Sequence, residues 1–163
     1  LLWVRAFASI YNPKMAVDVF LKLKTKFSNA SLTMVGPDKD GSMKITKQYA
    51  NELGIEVCFT NRLSKEEWIC LSENFDFFIN TTHFDNTPVS VMEAMALGLP
   101  VVSTNVGGIP YLMSNNENAI LVNDGDVKQM TTAILDLISN KEQSFSMSQN
   151  GRRLIEQMDW EIV

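Results

Sequence analysis

The chain has 163 residues, about one domain's worth, which allows a single sizeable core and excludes a two-domain enzyme within this length. With 45% hydrophobic and 20% charged residues and no biased tract, the composition is that of a globular protein rather than a disordered one. A net charge of −5 and a pI near 4.9 argue against nucleic acid or an anionic membrane as the main partner, while leaving room for a small anionic ligand held by a few local groups.

The chain opens without a methionine on a strand-like run, Leu1–Arg5, so something is expected to have been cut away upstream. Asn12-Pro13 reads as a cap followed by proline at the first helical position, and Ala16, Val19, Phe20, Leu23 and Phe27 then share one face. A second strand, Ser31–Val35, precedes a helix running from Ser42 to Gly54, a residue suited to a left-handed C-terminal position. Strand Glu56–Thr60 is followed by the capping box Ser64-x-x-Glu67. Strand Phe75–Asn80 leads to a helix from Thr87-Pro88 to Gly98, apolar almost all round and therefore expected to be buried. Strands Pro100–Thr104 and Ala119–Val122, a helix from Asp126 and a last helix from Phe145 to Met158 complete the chain.

Each strand and helix pair takes roughly 25 to 30 residues, the size of a βα unit. Such alternation predicts an α/β fold: one Rossmann-like, doubly wound parallel sheet of about six strands with helices on both faces, spanning residues 1–163. Ligands of such sheets bind outside the strand carboxyl ends, which directs attention to Arg5 to Asn12, Gly36 to Ser42, Asn61 to Ser64, Thr81 to Thr87 and Asn105 to Pro110.

Two cysteines without a CxxC and a single histidine, His83, make a structural zinc site or a Cys/His catalytic pair improbable, and no metal ligand set is expected. Cys58 and Cys70 sit in apolar runs and read as buried thiols in a reducing, cytoplasmic setting. No run reaches the roughly 20 apolar residues of a membrane span, and no basic-then-apolar secretory signal is read within these residues.

In the helix PVSVMEAMALG only Ser90 and Glu93 break the apolar pattern, and they share one sector. A carboxylate there needs solvent or a partner. Asp85, upstream in the loop, either frames a ligand space with Glu93 or closes its own Asx-turn, and periodicity leaves both readings open. Gly107-Gly108 would let the backbone approach a ligand and turn N–H groups toward an anion, and the nearby helix start would favour phosphate.

The run FDNTPVSVMEAMALGLPVVSTNVGGIPY, Phe84 to Tyr111, resembles the signature of the group 1 glycosyltransferases, the retaining family 4 enzymes with the GT-B fold. Their hallmark is two glutamates separated by seven residues, then a G-x-P-V strand and a GG-x-P loop. Glu93 matches the second glutamate, Asp85 stands one methylene short at the first, and Gly107, Gly108 and Pro110 match the loop. VGPDKDG at Val35 to Gly41 and VCFTNRLSKEEW at Val57 to Trp68 extend the similarity, which corresponds to the C-terminal, donor-binding half.

The resemblance implies a nucleotide-diphosphate sugar as donor substrate, no separate cofactor, and retaining, metal-independent transfer to an acceptor hydroxyl. It implies ribose contacts from Glu93 beside Ser90, sugar contacts from Asp85, backbone approach to the diphosphate by Val106, Gly107, Gly108 and Ile109, and base contacts along Gly36 to Gly41 and Asn61 to Leu63. Arg5 would neutralise the diphosphate, with Lys14 as the available second cation. Acceptor binding, with any peripheral membrane contact, would belong to a missing N-terminal domain, leaving this part with little activity alone. A nucleotide-sugar 2-epimerase of the same architecture, or a non-catalytic doubly wound binding module, are the competing readings. Base, donor sugar, acceptor and oligomeric state are not selected by any residue.

Overall fold

The computed structural model describes residues 1–158 of the expected 1–163 domain; residues 159–163 lie outside the described part. Six strands, β1 (Leu2–Val4), β2 (Thr33–Val35), β3 (Cys58–Thr60), β4 (Phe78–Asn80), β5 (Val101–Thr104) and β6 (Ile120–Val122), form one parallel sheet in the order β3-β2-β1-β4-β5-β6. The order reverses between β1 and β4, so their carboxyl ends diverge and leave a crevice. Every expected strand is present, shorter at its N-terminal side than the apolar runs that signalled it.

Strand residues alternate between two cores because successive side chains point to opposite faces. Trp3, Met34, Ile79, Val102 and Val122 enter one, and Leu2, Val35, Phe78, Val101 and Leu121 the other. Helices α1 (Pro13–Lys24), α2 (Ser42–Glu52) and α6 (Val127–Ser139) cover the first face; α3 (Lys65–Ser72), α4 (Val89–Ala96) and the short α5 (Ile109–Leu112) cover the second. The last helix, α7 (Lys141–Glu156), serves both: Met147 sits in the first core, whereas Leu154 and Ile155 pack on the second. Gly151 lies between them against Met95 and the carbonyl of Asn118. This helix begins four residues before the expected Phe145, because Asn140 caps it by accepting from the Gln143 N–H at 3.1 Å.

Local ends follow the sequence signals with one exception. The Ser64 and Glu67 capping box and the Asp126 cap on Gln129 are formed. Asn12, expected to cap α1, instead takes a left-handed conformation (φ 47°) and makes no side-chain cap bond; it ends the 3-10 turn Ser9–Tyr11.

Both cysteines are exposed, contrary to expectation. β3 is an edge strand and α3 lies beside it, so an apolar run there has water on one side. Helix α4 is likewise only half buried: Val91, Ala94 and Met95 face the core, while Val89 is exposed.

Buried hydroxyls tie the crevice loops together. Trp3 Nε1–H donates to Thr81 Oγ1 at 3.0 Å, and the Thr81 hydroxyl lies 2.9 and 3.0 Å from the carbonyls of Tyr11 and Asn12. The loops after β1 and β4 are thereby one unit. Thr81→Val would strand the buried Trp3 N–H and should lower stability by about 1–3 kcal/mol, read as a lower urea midpoint with unchanged slope.

Candidate functional site

A cleft of about 430 Å³ opens at the carboxyl ends of the strands. Its walls come from the loop after β1 (Arg5, Tyr11), the loop after β2 (Gly36, Pro37), the loop after β3 with the start of α3 (Arg62, Lys65) and the first turns of α4 (Ser90, Glu93). A larger groove of about 580 Å³ lies at the opposite end of the sheet, lined mainly by apolar residues such as Leu23, Phe27, Phe75 and Phe145. Only the first lies at the topological switch point and gathers convergent charged groups.

Arg5 is the central group. Its side chain is 12% exposed, its guanidinium pairs with Asp85, and it stacks over the Tyr11 ring at 4.7 Å. Burial lowers its pKa from the usual value, with Tyr11 opposing the shift. Nε has no hydrogen-bond partner although it is buried. A buried cation with a free donor is set to take an anion. Ser90 Oγ, on the cleft wall, is also buried and unpartnered.

Two glycines make room for this arrangement. A Cβ on Gly36 would overlap the Arg5 carbonyl, and one on Gly107 (φ 57°) would overlap the carbonyl of Asp85. Each glycine brings its segment against the backbone of one ion-pair partner, and a side chain there would push the segments apart.

Asp85 closes the Asx-turn that was one of its two readings, and it also pairs with Arg5. Oδ1 accepts the Thr87 N–H at 3.1 Å, the Asx-turn, while Oδ2 holds Arg5. It therefore stands at the end of the cleft rather than framing it with Glu93. Glu93 lies on the cleft wall, 3.4 Å from Lys65 Nζ and partly open to solvent.

Three of the expected groups are placed in part away from the cleft walls. Lys14 is exposed and stacks over the Tyr49 ring at 4.1 Å, directed toward α2 and not lining the cleft, because the first turn of α1 faces that helix. Val106, Gly107, Gly108 and Ile109 are also outside the cleft lining, and their N–H groups are not all free: Gly108 donates to the Asp85 carbonyl at 2.7 Å and Ile109 to Val106 at 3.1 Å. Gly36 and Pro37 do reach the cleft, but the rest of that loop is used in turning, with Asp38 accepting from the Gly41 N–H and Asp40 bridging the Ser9 and Ser42 N–H groups. The Ser42 side chain first, then the Ser9 N–H, holds the Asp40 carboxyl well down, at about 2.

Arg62 and Tyr11 lie in segments the sequence directed attention to, whereas Lys65 was missed as a cleft group. Lys65 lies one residue beyond the loop selected for inspection, and a second cation three residues after Arg62 was the available signal. With Arg5 they make three cations against the single carboxylate of Glu93, a basic slot in an acidic chain. Among the described residues no group of three or more His, Cys, Asp or Glu side chains is placed to hold a metal ion. No described helix is long and apolar enough to cross a membrane.

The family model for glycosyl transferases group 1 matches residues 1–154. The chain belongs to the group 1 glycosyl transferase family. It is 26% identical over 150 residues to the sulfoquinovosyl transferase of Arabidopsis thaliana, covering 89% of this chain and 28% of that protein. Over 150 residues it is 29% identical to the MMP alpha-(1->4)-mannosyltransferase of Mycolicibacterium hassiacum, covering 90% and 33%. This group 1 chain thus spans about a third of the length of such relatives. Among solved structures, its fold matches the C-terminal domain of a group 1 family protein from Francisella tularensis (TM-score 0.84, 18% identity, 96% of this chain and 84% of that one). It also matches Anabaena HepE in complex with UDP-glucose (TM-score 0.85, 20% identity, 96% and 43%).

Gly107→Ala should cost more than Gly54→Ala. Both require a left-handed alanine, at about 1 kcal/mol, but only Gly107 would also drive a Cβ into Asp85. Thermal unfolding of the two variants should differ by several degrees.

Proposed function

We propose that this chain is the donor-binding part of a glycosyltransferase that takes a nucleotide-diphosphate sugar and passes the sugar to an acceptor hydroxyl with retention at the anomeric carbon. The observation that carries the reading is the buried Arg5 guanidinium with a free Nε in a cleft that also holds the Glu93 carboxylate. Those two groups suit the two ends of a nucleoside diphosphate: an ionised carboxylate accepts two vicinal ribose hydroxyls, and a guanidinium fork matches phosphate oxygens. Named relatives act as sugar transferases, and one structural neighbour holds UDP-glucose.

In this reading charge grows on the departing diphosphate as the anomeric bond breaks. Arg5 stabilises that charge from a largely buried position, and the positive end of α4, with Ser90 in its first turn, adds to the field. Lys65 and Arg62 take the place first given to Lys14 in balancing the ligand's charge. Asp85 positions Arg5 and stands where the transferred sugar would begin. These cations supply the neutralisation a metal would otherwise give, so metal independence is part of the proposal; chelator should leave the rate of the full-length enzyme unchanged. Acceptor selection belongs mainly to a further domain of the parent protein. A cytoplasmic site of action accords with two exposed, unpaired thiols, which persist in reducing surroundings.

Thermal shift of this chain against UDP, GDP, ADP and CMP tests donor binding. A ligand at 100 times its dissociation constant should add about 2.7 kcal/mol, a shift of several degrees. No shift with any nucleotide for a folded chain removes the reading. Calorimetry should show Arg5→Lys and Glu93→Gln each weakening the bound nucleotide about tenfold, while Lys14→Met leaves it within about twofold. Product analysis on the full-length protein separates a retained glycoside from the free epimerised sugar of a 2-epimerase.

A further inference from the structure

Arg5 is held by residues of two different loops. The loop after β1 supplies the Tyr11 ring, whose centroid lies 4.7 Å from the guanidinium carbon, and the loop after β4 supplies the Asp85 carboxylate. These loops are bonded to each other close to both contacts. The Thr81 hydroxyl meets the carbonyls of Tyr11 and Asn12, the Thr82 hydroxyl lies 3.2 Å from the Ile10 carbonyl, and the His83 N–H donates to that carbonyl at 2.8 Å. Ring and carboxylate therefore keep a fixed spacing. Tyr11 is half-buried, packs on the core that contains Trp3 and Phe7, and donates its N–H to the Ala8 carbonyl at 2.9 Å.

The two partners act differently on the cation. Asp85 pairs with Nη2 and offsets the charge, whereas an aromatic face attracts a guanidinium while accepting none of the N–H groups in its plane and adding no negative charge. A second carboxylate in place of the ring would repel an incoming anion. With the ring against one face, the donors point past it, and the buried Nε among them has no partner. The backbone that sets the ring also removes the second cation expected after β1. Asn12, left-handed at φ 47°, ends the 3-10 turn Ser9–Tyr11 and starts α1 with Lys14 over Tyr49, outside the cleft that Tyr11 lines.

We propose that Tyr11 is a positioning residue for the donor's diphosphate: its ring holds the Arg5 guanidinium in the orientation in which Nε meets a phosphate oxygen. A neutral ring on Arg5 thus stands where a second cation was expected, and the added positive charge of the cleft comes from Arg62 and Lys65. The proposal rests on the donor reading and adds to it a residue that acts through Arg5. Since the contact is made by the ring face, phenylalanine preserves it and an aliphatic side chain does not.

The test is a double-mutant cycle, read by calorimetry on this chain with whichever of UDP, GDP or ADP binds best. Tyr11→Leu should weaken the nucleotide about tenfold and Tyr11→Phe less than about twofold. In the Arg5→Lys background no planar guanidinium remains to stack, so Tyr11→Leu should add less than about twofold. Support by packing alone would carry its full effect into that background. Additive losses overturn the proposal, as does a Tyr11→Phe loss equal to that of Tyr11→Leu. Tyr11→Met takes the place of Tyr11→Leu should that variant fail to fold. With isotope-labelled arginine, the Arg5 Nε–H signal should shift on nucleotide binding in the unaltered chain and in Tyr11→Phe, and lose that response in Tyr11→Leu. If no nucleotide binds the unaltered chain, the donor reading falls, and titration of the same signal with pyrophosphate decides the role of the ring. A saturable shift kept in Tyr11→Phe and lost in Tyr11→Leu sustains that role toward a bare anion; any other response overturns it.

Discussion

The arrangement turns on a charge kept out of water. Moving a guanidinium into a site 12% exposed costs several kcal/mol unless partners replace its hydration. Asp85 and the face of Tyr11 supply part of that replacement, and each must be delivered by a different segment. The switch in strand order between β1 and β4 brings those segments together, the Trp3 and Thr81 bond fixes their spacing, and Gly36 and Gly107 let the flanking backbone close in. Nε remains a buried donor that the fold does not satisfy, and an unmet donor is where a ligand gains most.

The same constraint separates the roles of residues that look equivalent in a family signature. The glycine pair after β5 was expected to offer its N–H groups to a diphosphate, yet Gly108 spends its own on the Asp85 carbonyl. Its small size matters because it lets two loops touch. The acidic pair also divides: Asp85 is held by Arg5 and its own turn, whereas Glu93 faces the cleft with only the exposed Lys65 beside it.

Much of this was legible in one dimension. Alternating strand and helix signals identify the α/β class, and the capping box at Ser64, the proline at position 13 and the left-handed Gly54 and Gly98 mark helix ends that the structure retains. What the chain order does not contain is strand order. Cys58 reads as buried because its neighbours are apolar, but β3 lies at the sheet edge and its outer side meets water. Lys14 follows Arg5 in sequence at a plausible interval, yet the left-handed turn at Asn12 rotates α1 so that this lysine faces Tyr49. Arg62 and Lys65 are distant from Arg5 in sequence and reach the cleft only because β3 and β1 flank the same β2.

Helix α7 has an effect on how the molecule comes apart. The sheet separates two apolar layers that otherwise share few side chains, and each could loosen without the other. By setting Met147 in one and Leu154 and Ile155 in the other, with Gly151 allowing it to cross close over Met95, the helix buckles the layers together. Loss of either layer then withdraws support from its opposite, so the two faces melt as one cooperative unit and the cleft they jointly support vanishes in the same transition.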